Sequence, residues 1–217
     1  MKLHYIGENN SVLNSFIAEI RDKNTQKDSL RFRRNIERIG EVLGYELSKQ
    51  LSYSSVYVET PLGKKKMQLS YNDLVLCSIL RAGLPLHQGL LNYFDKAENA
   101  FISAYRSHKK NDEKFEIVVE YFASPEIENK TLLLADPMLA TGKSLVAVYE
   151  AIKKKSTPKE IHIVAVIGSK EGVDFIAENF PENTHLWIAA IDSNLNSKGY
   201  IIPGLGDAGD LAFGSKL

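Results

Sequence analysis

Residues 131–144 read TLLLADPMLATGKS, and they constrain the fold more than any other stretch of this chain. Three leucines and an alanine run without alternation into Asp136-Pro137. A strand that is apolar on both faces belongs in a parallel sheet covered by helices on either side. Pro137 ends the strand because it has no ladder donor to give. Ala140-Thr141-Gly142-Lys143-Ser144 is small, polar and permissive of unusual backbone angles, and it opens an apolar, helix-compatible segment. The first N–H groups of such a helix face outward at the strand's carboxyl end. Together with the helix dipole they can hold a phosphate. Asp136, at the strand tip, is placed to accept hydrogen bonds from sugar hydroxyls. An acid beside a phosphate cradle suggests a phosphorylated sugar, with a nucleotide as the other candidate. The competing reading is an ordinary strand–loop–helix connection carrying a chance acid.

Gly142-Lys143-Ser144 also resembles the end of a nucleotide P-loop. That motif needs a glycine five positions before its second glycine, and here that position is Pro137. The P-loop is rejected, and a nucleoside kinase with it.

Beyond this segment, short apolar runs alternate with amphipathic ones. Strands are expected at Leu74–Ile79, Asn99–Tyr105, Phe115–Phe122, Thr131–Ala135, Ile161–Ile167 and Thr184–Ala190. Helices are expected at Leu84–Tyr93, Gly142–Lys154 and Lys170–Asn179. This alternation predicts an α/β fold with an open, mostly parallel sheet and helices on both faces. Ligands of such sheets bind outside the carboxyl ends of the strands. Ahead of the sheet, Val12 to Glu46 carries two helical patterns broken near Lys23-Asn24-Thr25. Ser55–Glu59 and Lys65–Leu69 flank Pro61-Leu62-Gly63, which predicts a β-hairpin. After the last strand, Ser193 to Gly214 is rich in glycine and proline, yet it contains Tyr200, Ile201, Ile202, Leu205, Leu211 and Phe213. A disordered tail would contain fewer apolar residues. It reads as an ordered, irregular cap over the site. No repeat or linker divides the chain, so 217 residues are read as a single domain.

Lys plus Arg and Asp plus Glu stand at 27 each, which gives no global basic field for a nucleic-acid partner. No apolar run approaches membrane-spanning length, and the amino-terminal segment lacks the core of a signal peptide. The single cysteine, Cys77, excludes an internal disulfide framework and suits a reducing cytoplasm. It reads as a packed strand residue. The five histidines show no metal-ligand spacing. His87 and His162 read as structural, and Met67 and Trp187 as packing residues.

Arg81 follows a predicted strand and precedes Ala82-Gly83. Its planar fork can hold two phosphate oxygens, although a surface cation at a strand end is the plainer alternative. Asp207 sits between Gly206 and Ala208, where small neighbours let backbone approach a flat ligand. The alternative there is an Asp-Gly surface turn. Residues Lys109–Lys114 read as a solvated hairpin tip.

Three ordered stretches resemble the uracil phosphoribosyltransferase family. Asp136-Pro137-Met138-Leu139-Ala140-Thr141-Gly142 is similar to its phosphoribosyl-pyrophosphate (PRPP) motif. Ser78-Ile79-Leu80-Arg81-Ala82-Gly83-Leu84 is similar to its pyrophosphate loop, and the stretch Gly199 to Asp210, GYIIPGLGDAGD, to its uracil-binding hood. The likeness spans most of the chain, from the Thr25–Arg33 region to the end. It implies a phosphoribosyltransferase-type fold with N-terminal helices and a hood over residues 193–217. It implies transfer of phosphoribosyl from PRPP to uracil, giving UMP and pyrophosphate in pyrimidine salvage. An RNA-binding regulator on the same fold, responsive to pyrimidines, is the alternative. By resemblance, PRPP is bound by Arg81, Arg106, Asp136, Pro137, Met138, Leu139, Ala140, Thr141, Gly142, Lys143, Ser144 and Asp207. Uracil is read by Ile201, Gly206, Asp207 and Ala208, and the catalytic residues are Arg81 and Asp207. Mg²⁺ is implied as the cofactor, bound mainly through PRPP with no direct protein cage, and the assembly is a homodimer or larger. Lys143 departs from the family, which usually has glycine there; it either contacts phosphate or points into solvent. The pattern also departs just after Arg106. Ala135 precedes Asp136, so the adjacent acidic pair of many other phosphoribosyltransferases is absent, which agrees with the uracil family.

Overall fold

Apolar runs that must be buried on both faces set the architecture. The computed structural model describes residues 1–70, 73–108 and 115–216, with backbone alone for 105–108 and 115–117. The chain opens with strand β1 (Lys2–Tyr5), followed by helices α1 (Leu13–Arg21) and α2 (Ser29–Ser48). Asp28 caps α2 by accepting the Arg31 N–H at 3.0 Å, which satisfies one of the orphan donors of the first turn. Phe32, Ile36, Ile39, Leu43 and Leu47 repeat every three to four residues and form the buried stripe of α2. The hairpin β2 (Tyr53–Thr60) and β3 (Gly63–Ser70) pairs from Thr60↔Gly63 to Tyr53↔Ser70.

There follow β4 (Leu74–Leu80), α3 (Gly83–Leu91), β5 (Glu98–His108), β6 (Phe115–Ala123), β7 (Thr131–Ala135) and β8 (Met138–Leu139). The chain ends with α4 (Lys143–Lys153), β9 (Glu160–Ser169), α5 (Lys170–Asn179), β10 (His185–Asp192), β11 (Asn194–Leu195), β12 (Ile201–Ile202) and α6 (Ala208–Phe213). The main sheet runs β1-β10-β9-β7-β4-β5-β6, with β8 also on β9. Every pairing in it is parallel except β5 with β6. Alternate side chains sort into two cores. Leu74, Leu76, Leu133, Ala135 and Val164 pack with α1, α2 and α3. Val75, Cys77, Leu132, Leu134 and Ile163 pack with α4 and α5. Truncating one such leucine to alanine removes about 2–5 kcal/mol.

The predicted strands and helices all occur, with ends displaced by a few residues. β1 was not anticipated: four residues carry too little periodicity, and their pairing partner β10 lies far along the chain. Met67 does not pack in a core; it is on the hairpin and 42% exposed. The C-terminal cap is less irregular than expected, because β11 and β12 form an antiparallel pair and α6 is a helical turn and a half. Residues 109–114, expected as a solvated tip, lie outside the described residues. Cys77 is fully buried, and burial pushes its thiol up to about 12, so it is inert. Among the described residues no helix is long and apolar enough to cross a membrane.

Three histidines and Trp187 meet across β1, β10 and β9. His4 stacks on Trp187 with centroids 3.7 Å apart, and Trp187 Nε1 donates to His162 Nδ1 at 3.0 Å. His4 Nε2 lies 3.0 Å from His185 Nδ1. Burial, then repulsion from His185, lowers His4 to about 4 and His162 to about 3, below the ordinary 6.5. His185 is lowered as well, by burial first, with Glu160 opposing and Lys2 and the amino terminus reinforcing. Neutral imidazoles therefore stabilise the fold fully above pH 6.5, and that stability is lost as pH falls through 4. The thermal midpoint should drop steadily from pH 6.5 to 4. His4→Phe, which keeps a ring against Trp187, should flatten that drop; an equal slope in both proteins would remove His4 from the effect.

Candidate active site

The cradle starts where β7 leaves the sheet. Asp136 N still donates to Val164 O at 3.1 Å, while its carboxylate turns back to accept Met138 N–H at 3.2 Å. β7 ends at Ala135, just before Pro137, as expected, but the chain does not leave the sheet at Pro137. The Pro137 carbonyl accepts Val166 N and Ile167 N at 3.2 and 3.0 Å, and Met138–Leu139 then runs along β9 as β8. The turn is Ala140–Gly142, within the loop expected at residues 140–144. Gly142 has φ +74, and a Cβ there would press on Ile176 and Phe175 at 3.0 Å, so any other residue would be strained. Helix α4 begins without a side-chain cap, which leaves first-turn N–H groups for a ligand. Asp136, Met138, Leu139, Ala140, Thr141, Gly142, Ser144 and Leu145 line a concavity of about 40 Å³. Pro137 is buried and Lys143 exposed, and neither lines it. Ser169, missed in the sequence, braces this turn: its Oγ donates to Ala140 O at 2.6 Å and accepts Gly172 N–H at 2.8 Å.

The Arg81 loop lies beside the cradle. A Cβ on Gly83 would sit 3.2 Å from Ala135 O, the last residue of β7. Arg81 Nη2 donates to Gly214 O at 2.9 Å and to Asp210 Oδ1 at 3.3 Å. Its Nε is buried with no partner, a donor whose desolvation is uncompensated until an acceptor arrives. Asp210 was left out of the site in the sequence reading. The structure places it on Arg81. His87 hydrogen-bonds Ser78 Oγ at 2.7 Å and Asn99 Oδ1 at 2.6 Å beneath this loop, which fits a structural role.

The hood closes the third side. Asp207 caps α6, its Oδ1 accepting Asp210 N–H at 3.0 Å, while its Oδ2 lies 4.0 Å from Lys216 Nζ. The turn reading of Asp207 is thus correct for one carboxylate oxygen, while the other faces Lys216. A Cβ on Gly209 would lie 4.0 Å from Ala82 Cβ, so the hood rests on the Arg81 loop. Gly206 is exposed, whereas Ala208 and Ile201 are buried in the core with Leu205. The side chain of Arg106 lies outside the described part of the structure; its backbone pairs with Ile117 between β5 and β6. A larger groove of about 560 Å³ between β6 and α4 holds none of these motifs, so volume does not identify the site.

Comparison with known proteins decides what the convergence belongs to. A family model described as uracil phosphoribosyltransferase matches residues 8–215. The chain belongs to the uracil phosphoribosyltransferase family. The uracil phosphoribosyltransferase of Porphyromonas gingivalis is 52% identical over 217 residues, covering all of both chains. That of Thermococcus gammatolerans is 40% identical over 98% of this chain and 94% of its own. A solved protein of Aquifex aeolicus, 30% identical over 99% of both chains, superimposes with a TM-score of 0.84.

Asp136 is the most strained group of this family's motif here. Burial raises its carboxyl from 3.8 to about 7, with the Met138 N–H pulling weakly the other way. A raised folded value means that its contribution to stability is complete below 3.8 and is lost as pH rises through about 7. Asp136→Asn keeps the Met138 contact and removes that cost. Its thermal midpoint relative to wild type should rise between pH 5 and 8, while PRPP affinity falls by about 1.5–3 kcal/mol, the worth of a charge-assisted hydrogen bond. Calorimetry showing unchanged PRPP affinity would strip Asp136 of its role.

Proposed function

We infer that this chain transfers the phosphoribosyl group of PRPP to N1 of uracil, giving UMP and pyrophosphate in pyrimidine salvage. The carrying observation is the meeting of three separate motifs at one edge of the sheet: the Asp136–Ser144 cradle, the Arg81 loop and the Asp207 hood. The cradle suits the 5-phosphate, and Asp136 the ring hydroxyls. Arg81, with a buried Nε lacking an acceptor, suits the pyrophosphate. The exposed backbone at Gly206, beside Asp207, suits a base edge that alternates donors and acceptors.

In the reaction the N1–C1 bond forms as the C1–oxygen bond breaks, both electrons of the broken bond leave with pyrophosphate, and the proton lost from N1 passes to the departing pyrophosphate or to water. The residues position the reactants in line and neutralise the departing charge, and Arg81 exchanges Asp210 and the Gly214 carbonyl for phosphate oxygens as it does so. Among the described residues no group of three acidic, histidine or cysteine side chains could cage a metal. Mg²⁺ needs no such cage when phosphates and water supply its ligands, and Asp136 and Asp207 are carboxylates of the site that could add one. Bound with PRPP, it would supply further charge neutralisation to the leaving group.

The chain works as one catalytic domain, with residues 193–217 as its hood. It assembles as a homodimer or larger. The hairpin supports this: Tyr57, Val58, Leu62, Met67 and Leu69 are all exposed on it, a concentration of apolar surface that a second copy would cover. Phosphorylated substrates and the lone buried cysteine fit the cytoplasm.

Product analysis with uracil, cytosine, hypoxanthine and orotate, each with PRPP and Mg²⁺, should yield UMP from uracil alone at high kcat/KM. Comparable turnover of orotate or hypoxanthine would overturn the substrate assignment.

A further inference from the structure

The uracil-reading backbone is held from behind by groups that the substrate motifs do not include. Arg21, the last residue of α1, meets Asp192, the last residue of β10, through two parallel hydrogen bonds of 2.8 Å each. Bidentate pairing of this kind fixes direction as well as distance. The same two side chains grip Gly204 from both ends. Arg21 Nη1 donates to Gly204 O at 3.1 Å, and Asp192 Oδ2 accepts Gly204 N–H at 2.9 Å. With its amide oriented to suit its neighbours, Gln26 donates to Leu205 O at 2.8 Å and to Ile20 O at 3.2 Å. Gly204 itself has φ +58, and a Cβ there would meet Ile201 O at 2.1 Å. The loop is thus anchored at Gly204 and Leu205, immediately before Gly206-Asp207-Ala208.

We infer that Arg21 and Asp192 are a positioning pair that sets the height of the Gly206–Ala208 backbone over the sugar, and with it the enzyme's grip on uracil. This rests on the hood being the uracil site. The pair reaches the base only through Gly204. Asp192 is 9% exposed and stays ionised: burial opposes the charge, but Arg21 and the Gly204 N–H together hold the carboxyl below its ordinary range. A carboxylate this buried would be a poor choice for plain surface bracing, since its removal strands Arg21 as well. Hydrogen bonds from backbone to a flat ring weaken steeply with misalignment, so a small shift of Gly204 is felt at the base. The PRPP cradle hangs on β7, β9 and α4; Asp192 is in register with Ser169 of β9, but its carboxylate is directed to Arg21 and Gly204, on the hood side. Loss of the pair should therefore separate the two substrates.

Steady-state kinetics of wild type, Asp192→Asn and Arg21→Lys, varying each substrate in turn, test this. The uracil KM should rise about tenfold in both variants, with the PRPP KM within about twofold of wild type. The double variant should be no worse than the single ones, because both act on one peptide group. Should Asp192→Asn fail to fold, Arg21→Lys, which keeps the charge and loses the fork, carries the same test. Equal rises in both KM values, or an unchanged uracil KM, would overturn the positioning role. Wild-type enzyme that turns over no uracil at all would instead overturn the functional reading beneath it.

Discussion

β4 and β7 lie side by side in the middle of the sheet, in register from Leu74↔Thr131 to Ser78↔Ala135. From that seam the chain winds both ways. β4 passes through α3 to β5 on one side, and β7 through α4 to β9 on the other, with α3 and α4 on opposite faces. Two crossovers that diverge leave a crevice between the carboxyl ends of the strands they leave. Asp136 and Arg81 are the residues delivered to that crevice. The hood closes it because Gly209 and Asp210 pack on the Arg81 loop. Everything the site does depends on this seam staying dry and rigid. Its strands are accordingly apolar on both faces.

The crevice is built under electrostatic tension. Asp136 carries a carboxyl that burial has pushed up to about 7, and Arg81 holds a donor with no acceptor. Uncompensated groups of this kind, converging in one crevice, are what a binding site holds ready for a ligand. An anionic, hydroxyl-bearing, phosphorylated ligand relieves both together: its hydroxyls hydrogen-bond the carboxylate, and its phosphates fill the guanidinium. Arg81 meanwhile leans on Asp210 and the Gly214 carbonyl. The C-terminal segment thus holds the Arg81 guanidinium where we propose that pyrophosphate binds.

The fold was legible because strand burial on both faces writes itself as unbroken apolar runs, and Leu132 to Ala135 is such a run. The cradle was legible because Gly142 and a polar loop follow it directly. The same local reading missed the short strand β8, since the pairing of Met138–Leu139 with Ile167 and Gly168 depends on a strand some thirty residues away. It also missed Ser169, Asp192 and Arg21, which act across long separations and carry no spacing signature of their own. β1 escaped for the same reason. Asp210 was passed over because, in sequence, it is one more acid in a glycine-rich tail; only the folded hood sets it against Arg81. Lys143 illustrates the reverse: prominent in the motif, it proves exposed and outside the concavity.

A crystal structure of the protein with UMP bound addresses the central claim most directly. The phosphate should sit on the N–H groups of residues 141–144, the ribose hydroxyls on Asp136, and the uracil edge on the backbone of Gly206 to Ala208. A phosphate bound away from that helix start, or a base that does not reach the hood, would contradict it.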